Sequence, residues 1–381
     1  MSDRNRPVVL LFIDWYLPGF KAGGPIRSVA NMVQHLGKDY DFRIVTRNTD
    51  YTETTPYPTI ESNTWVDGPF SEKVMYLSPE QCSKKGIQAI LSGVNYDFVY
   101  INGIYSRIFS ILPLELLRNE KKRKVIVASR GMLAPSAIAV KGFKKKLFLN
   151  WARLRGLYSN VIFHATNATE ERHIKDAIGK NALVQVADNF PALKVIPLSR
   201  KSGKESGVLR LVNIARIAPE KNLEFALEML RKVKDGKVRF EVYGPVYNED
   251  YFNRCKSIAE QLPASCEVKF MGPVSPEKIT EILMRQDLLF MPTRGENFGH
   301  IILESLMAGT PVLTSDQTPF TNSGGVEALP LNDTSAFAER LNEWLQMDEQ
   351  THQKKIEQSL EEARKKNDTF PLLERYRQLL G

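Results

Sequence analysis

The chain has 381 residues, 43% of them hydrophobic and 25% charged, which suits two domains of about 150 to 200 residues rather than one core. The first apolar run stops at Asp14, too short for a signal-peptide core or a membrane span. Cys82, Cys255 and Cys266 have no metal-ligand or redox spacing and fit a reducing cytoplasm, and the formal charge of +8 is concentrated locally.

Residues 7–13 read as a buried strand, followed by a loop over 18–24 and by Pro25 at the first position of a helix. Ile26, Val29, Ala30, Val33 and Leu36 share one face of that helix. Gly23 and Gly24 let backbone approach a ligand closely and leave amides for phosphate, although their spacing is not the dinucleotide fingerprint. Further strands are expected at 42–46, 74–77, 98–101, 124–128 and 161–163. Helical patterns between most of them argue for a parallel sheet covered on both faces. Residues 47–73, rich in Thr, Pro and Tyr, read as a long loop or a small excursion, and Asp39 and Asp41 as solvated turn residues.

Between Arg118 and Arg155 twelve Lys or Arg stand against a single acid, Glu120, a surplus larger than that of the whole chain. Residues 141–155 interleave these cations with Phe, Leu and Trp. A basic helix with an apolar face reads as a membrane-surface element, with Lys144, Lys145, Lys146, Phe148 and Trp151 as candidate contacts. The alternatives are a docked core helix with a solvated basic side, and a nucleic-acid surface, for which no recognition motif is present.

Residues 199–207, polar and rich in Gly and Ser, read as a linker. A second α/β series follows. A strand at 209–214 enters a loop carrying Arg216 and Lys221, then a helix to about residue 234. Two fixed cations at the ligand-facing end of a strand suit a diphosphate, Arg as a bidentate fork and Lys as a point charge. Strands at 238–243 and 268–270 enter Gly-Pro turns.

The stretch from 287 to 315 organises this half. Residues 287–291 read as a buried strand, 298–308 as a helix closed by Gly309, and 310–315 as the next strand. Ligands of such units bind at the carboxyl ends of the strands, where the helix N-terminus attracts anions. Glu296 stands in that loop and Glu304 two turns into the helix, so the ligand should carry both hydroxyls and phosphates. A helix at about 335–345 and a tail at 369–380 complete the chain.

Glu296-Asn297-Phe298-Gly299 after an apolar strand, with Glu304 eight positions on, resembles the E-x7-E motif of retaining glycosyltransferases of family 4. Arg216 with Lys221-Asn222 resembles that family's second hallmark, and Gly23-Gly24 its glycine-rich N-domain loop. The resemblance implies the GT-B fold, two Rossmann-like domains with parallel sheets facing across a cleft. Residues 1–200 would bind the acceptor, 201–365 the nucleotide-sugar donor, and 366–381 would form a helix crossing back to the first domain.

The activity so implied moves a sugar from a nucleotide-diphosphate sugar to a hydroxyl, retaining the anomeric configuration and using no metal or other cofactor. Arg216 and Lys221 would neutralise the departing diphosphate, helped by amides near Gly24, Gly299 and His300. Glu296 would hold hydroxyls of the donor sugar and Glu304 those of the ribose, with Asn297 and Phe298 completing the donor loop. An oligosaccharide or polyprenol-linked acceptor is the family-level expectation, in assembly of bacterial surface polysaccharide at the inner face of the plasma membrane, with no nucleic-acid partner.

One departure concerns the strand ending at Ala128-Ser129. Many family members carry a histidine after it, where this chain has Arg130-Gly131-Met132. Arg130 is therefore an acceptor-side candidate, but a poor proton carrier. Two rival readings are an epimerase or hydrolase of nucleotide sugars with the same fold, and a basic protein that binds membranes or nucleic acid without catalysis.

Overall fold

The computed structural model describes residues 6–120, 123–139 and 142–381. They form two compact units, one running to Leu193 and taking in Thr369–Gly381, the other Lys194–Asp368.

The first unit is built on eight strands: β1 (Val8–Ile13), β2 (Asp41–Arg47), β3 (Trp65–Asp67), β4 (Lys73–Leu77), β5 (Phe98–Asn102), β6 (Lys124–Ala128), β7 (Val161–Ala165) and β8 (Leu183–Val186). Their order is β3-β4-β2-β1-β5-β6-β7-β8, parallel throughout except for β3 against β4. The winding reverses between β1 and β5. Val9, Leu11 and Ile13 point to one face of the sheet, Leu10 and Phe12 to the other, so β1 carries both halves of the core. Helix Gly24–Leu36 covers the first face through Val29, Val33 and Leu36, and helix Phe370–Leu380 adds Tyr376, Leu379 and Leu380 to the same cluster.

The stretch 47–73 is not all loop, because Trp65–Asp67 closes the sheet edge against β4. Three residues are too few for alternation to reveal.

A buried carboxylate fastens this unit's ligand-facing end. Glu170, at the start of helix Ala168–Ile178, is 2% exposed. It accepts from Ser129 Oγ and Gly131 N at 2.6 Å, from Thr166 N at 2.8 Å and from Thr166 Oγ1 at 2.7 Å. Removing it strands four donors around a hole. Glu170→Ala is expected to cost about 3 kcal/mol or more, read as a lower denaturant midpoint at unchanged slope.

The second unit has six parallel strands: β9 (Val208–Ile214), β10 (Lys237–Tyr243), β11 (Cys266–Gly272), β12 (Leu288–Met291), β13 (Val312–Ser315) and β14 (Val326–Leu329). Their order is β11-β10-β9-β12-β13-β14, so the winding reverses between β9 and β12. Helices Leu223–Leu230 and Thr334–Gln346 cover one face, and helix His300–Met307 the other.

Residues 199–207 are not a linker. Arg200 donates to the Gly309 carbonyl at 3.0 Å, to Thr310 Oγ1 at 2.7 Å and to the Gln286 carbonyl at 2.9 Å. Lys204, 5% exposed, donates to the Leu345 carbonyl at 3.1 Å. The boundary falls after Leu193, before this segment begins. Helix Glu349–Lys366, which the sequence reading leaves unassigned, packs on helix His300–Met307. No helix among the described residues is long and apolar enough to cross a membrane.

Candidate active site

Two loops meet at the reversal point of the second sheet. One leaves β9 and carries Arg216, Glu220, Lys221 and Asn222. The other leaves β12 and carries Arg294 to Gly299. Asn222 ties them together: its φ is +58°, its Nδ2 donates to the Pro292 carbonyl at 2.9 Å, and its Oδ1 accepts from Arg294 Nε at 3.0 Å. Asparagine is among the few residues with a side chain that visit this conformation readily. The Arg294 amide and the Thr293 hydroxyl both donate to the Glu220 carbonyl, at 2.9 and 3.0 Å. From the far side, the Glu296 amide donates to the Gln317 carbonyl at 3.0 Å.

This stapling brings Lys221 onto Glu296. Lys221 Nζ donates to Glu296 Oε1 in an ion pair whose side chains are 13% and 16% exposed. Arg216 pairs with Glu220 at 2.9 Å, and its guanidinium lies 5.3 Å from the centre of the Tyr247 ring. Both cations thus stand at the carboxyl ends of the strands, where doubly wound sheets take ligands.

The helix beyond begins at His300 because Gly299 turns the chain with a φ of +77°. A Cβ there would lie 3.1 Å from the Phe320 ring, so the position suits glycine twice over. Ile302, Leu303, Leu306 and Met307 anchor the helix in the core, and Gly309, at a φ of +69°, ends it. The first-turn amides of a helix have no acceptor within it, which makes this end attractive to an anion. The His300 and Phe298 rings stand 4.5 Å apart beside it. Asn297 is half-buried in the same loop.

Glu304 is buried, 6% exposed, and its Oε2 accepts from Lys194 Nζ at 2.9 Å. Lys194 also donates to Thr280 Oγ1 at 3.3 Å. No local pattern marks Lys194 as a site residue. The signal was Glu304 itself, a carboxylate beside Leu303 on the inward side of a helix, which needs a cation nearby.

Residues 196–365, just under half of the chain, match the family model described as glycosyl transferases group 1. The second unit belongs to this family. A D-inositol 3-phosphate glycosyltransferase of Corynebacterium urealyticum is 29% identical over 41% of this chain and 37% of its own length. An alpha-monoglucosyldiacylglycerol synthase of Streptococcus pneumoniae is 30% identical over 33% and 28% respectively. These matches therefore span well under half of the relatives' length. The Anabaena protein HepE, solved in complex with UDP and glucose, superposes with a TM-score of 0.72 at 15% identity, covering 98% of this chain and 99% of its own. The fold of the chain is GT-B.

The donor candidates Arg216, Lys221, Glu296, Asn297, Phe298, Gly299, His300 and Glu304 all lie in the unit that carries the family match. Gly23, Gly24 and Arg130 lie in the first. There Gly23 adopts a φ of +74° and caps helix Gly24–Leu36, and a side chain at either glycine would meet open space.

Arg130 is engaged inside its own unit. Its guanidinium donates to Asn102 Oδ1 at 2.7 Å, to the Tyr100 hydroxyl at 2.9 Å and to Asn189 Oδ1. Tyr100 Oη lies 2.6 Å from His164 Nδ1, and His164 Nε2 lies 2.7 Å from the Ala187 carbonyl. Burial first, then the nearby Arg130, pull the His164 pKa down to about 3, so the ring is neutral. Its Nε2–H donates to the carbonyl, which leaves Nδ1 to accept from Tyr100. Through this network half-buried Arg130 locks the ends of β5, β6 and β7 to residues 187–189.

The basic helix of the first unit is Gly142–Leu154. Phe148 and Trp151 pack against the core, Phe148 standing 5.6 Å from the Tyr105 ring and 5.8 Å from Trp151. Both are half-buried on the inward side of the helix. Lys145 donates to the Ala137 carbonyl at 2.6 Å and lies over the Tyr105 ring, whereas Lys144 and Lys146 are exposed. Lys121, Lys122 and Lys141 of the basic stretch lie outside the described residues.

Proposed function

We propose that the protein is a retaining glycosyltransferase that moves a sugar from a nucleotide-diphosphate sugar to a hydroxyl acceptor. The observation that carries this reading is the Lys221–Glu296 pair at the reversal point of a sheet whose unit matches the family. A diphosphate entering there meets Lys221, Arg216 and the first turn of helix His300–Met307. Glu296, released from Lys221 by the incoming phosphate, accepts hydrogen bonds from hydroxyls of the donor sugar. Glu304 accepts from the ribose, with Lys194 beside it.

In the reaction the bond from the anomeric carbon to the phosphate oxygen breaks. The acceptor oxygen bonds to that carbon on the same face, and its proton passes to the departing phosphate oxygen. Negative charge grows on the diphosphate, where the cations stabilise the transition state more than the ground state. In this reading Arg216 and Lys221, rather than a divalent cation, meet that charge. The acceptor is carried on a lipid or an oligosaccharide, and the product feeds a surface polysaccharide or glycolipid made at the cytoplasmic face of a membrane.

Thermal unfolding with a panel of nucleotide sugars tests donor binding directly. UDP-sugars come first, because the structurally similar HepE was solved with UDP. A donor at about a hundred times its dissociation constant should add roughly 2.7 kcal/mol to the unit that binds it. No shift with any nucleotide sugar would remove the proposal. Release of free or epimerised sugar without an acceptor would turn it to the hydrolase or epimerase reading.

A further inference from the structure

We propose that helix Gly142–Leu154 seats the protein on an anionic lipid surface, with Phe143, Leu147 and Leu154 as the side chains that enter it. At 3.6 residues per turn these three positions fall within an arc of about 40°. They are 82%, 61% and 89% exposed, on a helix whose opposite side buries Leu149 and Ala152. Large apolar side chains lined up in water mark a surface that another phase or molecule covers. The exposed Lys144 and Lys146 flank that stripe on either side, and the helix contains no acid.

Charge decides which occupant fits. Lipid headgroups supply negative charge at the level of the lysines, and the acyl region accepts Phe and Leu a few ångströms deeper. A nucleic acid would satisfy the lysines but offers Leu147 and Leu154 nothing. The reading rests on the proposal that the acceptor is presented at a membrane, and replaces Phe148 and Trp151 by the face that is outward.

Sedimentation with vesicles of phosphatidylglycerol and phosphatidylcholine in equal parts tests it on the full chain. The wild-type protein should sediment at low salt and less so at high salt. Phe143→Ser with Leu147→Ser and Leu154→Ser should lower the partition coefficient at least about tenfold while leaving the thermal midpoint unchanged, since all three side chains are outward. Lys144→Glu with Lys146→Glu should weaken binding by a comparable factor and flatten its salt dependence. Failure of the wild type to sediment at low salt overturns the inference. So does unchanged partition of the serine variant, or tight binding of single-stranded RNA in place of vesicles. Donor binding is measured separately, by thermal shift with nucleotide sugars. A protein that binds donor but not vesicles would lose this inference alone.

Discussion

Lys221→Ala is expected to lower kcat/KM for the nucleotide-sugar donor by about two to three orders of magnitude, the range seen when one preorganised donor to a developing anion is removed. The side chain is 13% exposed, so its charge acts where water screens it little. Among the described residues its ammonium pairs with Glu296, and a phosphate presents the same kind of oxygen at the same place. Deleting the ammonium does two things at once: it removes a charge from the diphosphate and leaves Glu296 half-buried without its cation. Affinity for the nucleoside diphosphate should fall with activity, while affinity for the bare nucleoside should barely change. Calorimetry with both ligands checks this. Equal losses for nucleoside and nucleotide would show that Lys221 acts through the fold of the loops and not through phosphate. Lys221→Arg is the accompanying control, since it keeps the charge and changes the shape.

The strand, loop and helix that carry the donor candidates were readable in the sequence because the residues that punctuate them also fold them. Gly299 and Gly309 bracket a short helix, β12 is a continuous apolar run, and Glu296 stands between them in a polar, glycine-containing loop. Periodicity and punctuation find such features. The first unit was harder. Trp65–Asp67 and Leu183–Val186 are edge strands with little burial, so they carry no alternating signal. The segment 199–207 looked like a linker by composition, yet Arg200 and Lys204 are held by carbonyls contributed by residues far along the chain. Local sequence does not record such partners.

Two placements share one cause. Arg130 and the pair Phe148 and Trp151 have chemistry that suits a ligand and a lipid surface, and in the fold their side chains turn onto neighbours in their own unit. Arg130 turns into a network with Asn102, Asn189 and Tyr100, helped by its φ of +50°. Phe148 and Trp151 turn into the core because Leu149 and Ala152 fix which side of the helix is buried. In a helix with apolar residues on most sides, composition alone leaves that rotation open.

The largest separation of effects is expected between the two glutamates. Glu296→Gln should lower kcat about a hundredfold with near-normal affinity for the nucleotide product, whereas Glu304→Gln should raise KM and the nucleotide dissociation constant together by about tenfold with a smaller change in kcat. The reasoning is positional. Glu296 lies in the loop before the helix, against Lys221, which in the proposed reaction puts it beside the bond from sugar to phosphate. An interaction there that strengthens as the sugar becomes cationic appears in kcat, because it is stronger in the transition state than in the ground state. Glu304 lies two turns along, buried against Lys194, and in the proposed reaction it meets the ribose, whose charge does not change. Such contacts bind ground state and transition state alike. The burial of Glu304 adds a second expectation. Glu304→Gln leaves Lys194 without its carboxylate and should lower the thermal midpoint measurably, while Glu296→Gln, more exposed, should lower it less. Lys194→Met combined with Glu304→Gln should then recover part of the loss in stability without restoring nucleotide affinity. Steady-state kinetics with a matched donor and acceptor, nucleotide titration and thermal unfolding of each variant decide the assignment. Full kcat with poor nucleotide binding in Glu296→Gln would mean that the two carboxylates have exchanged roles.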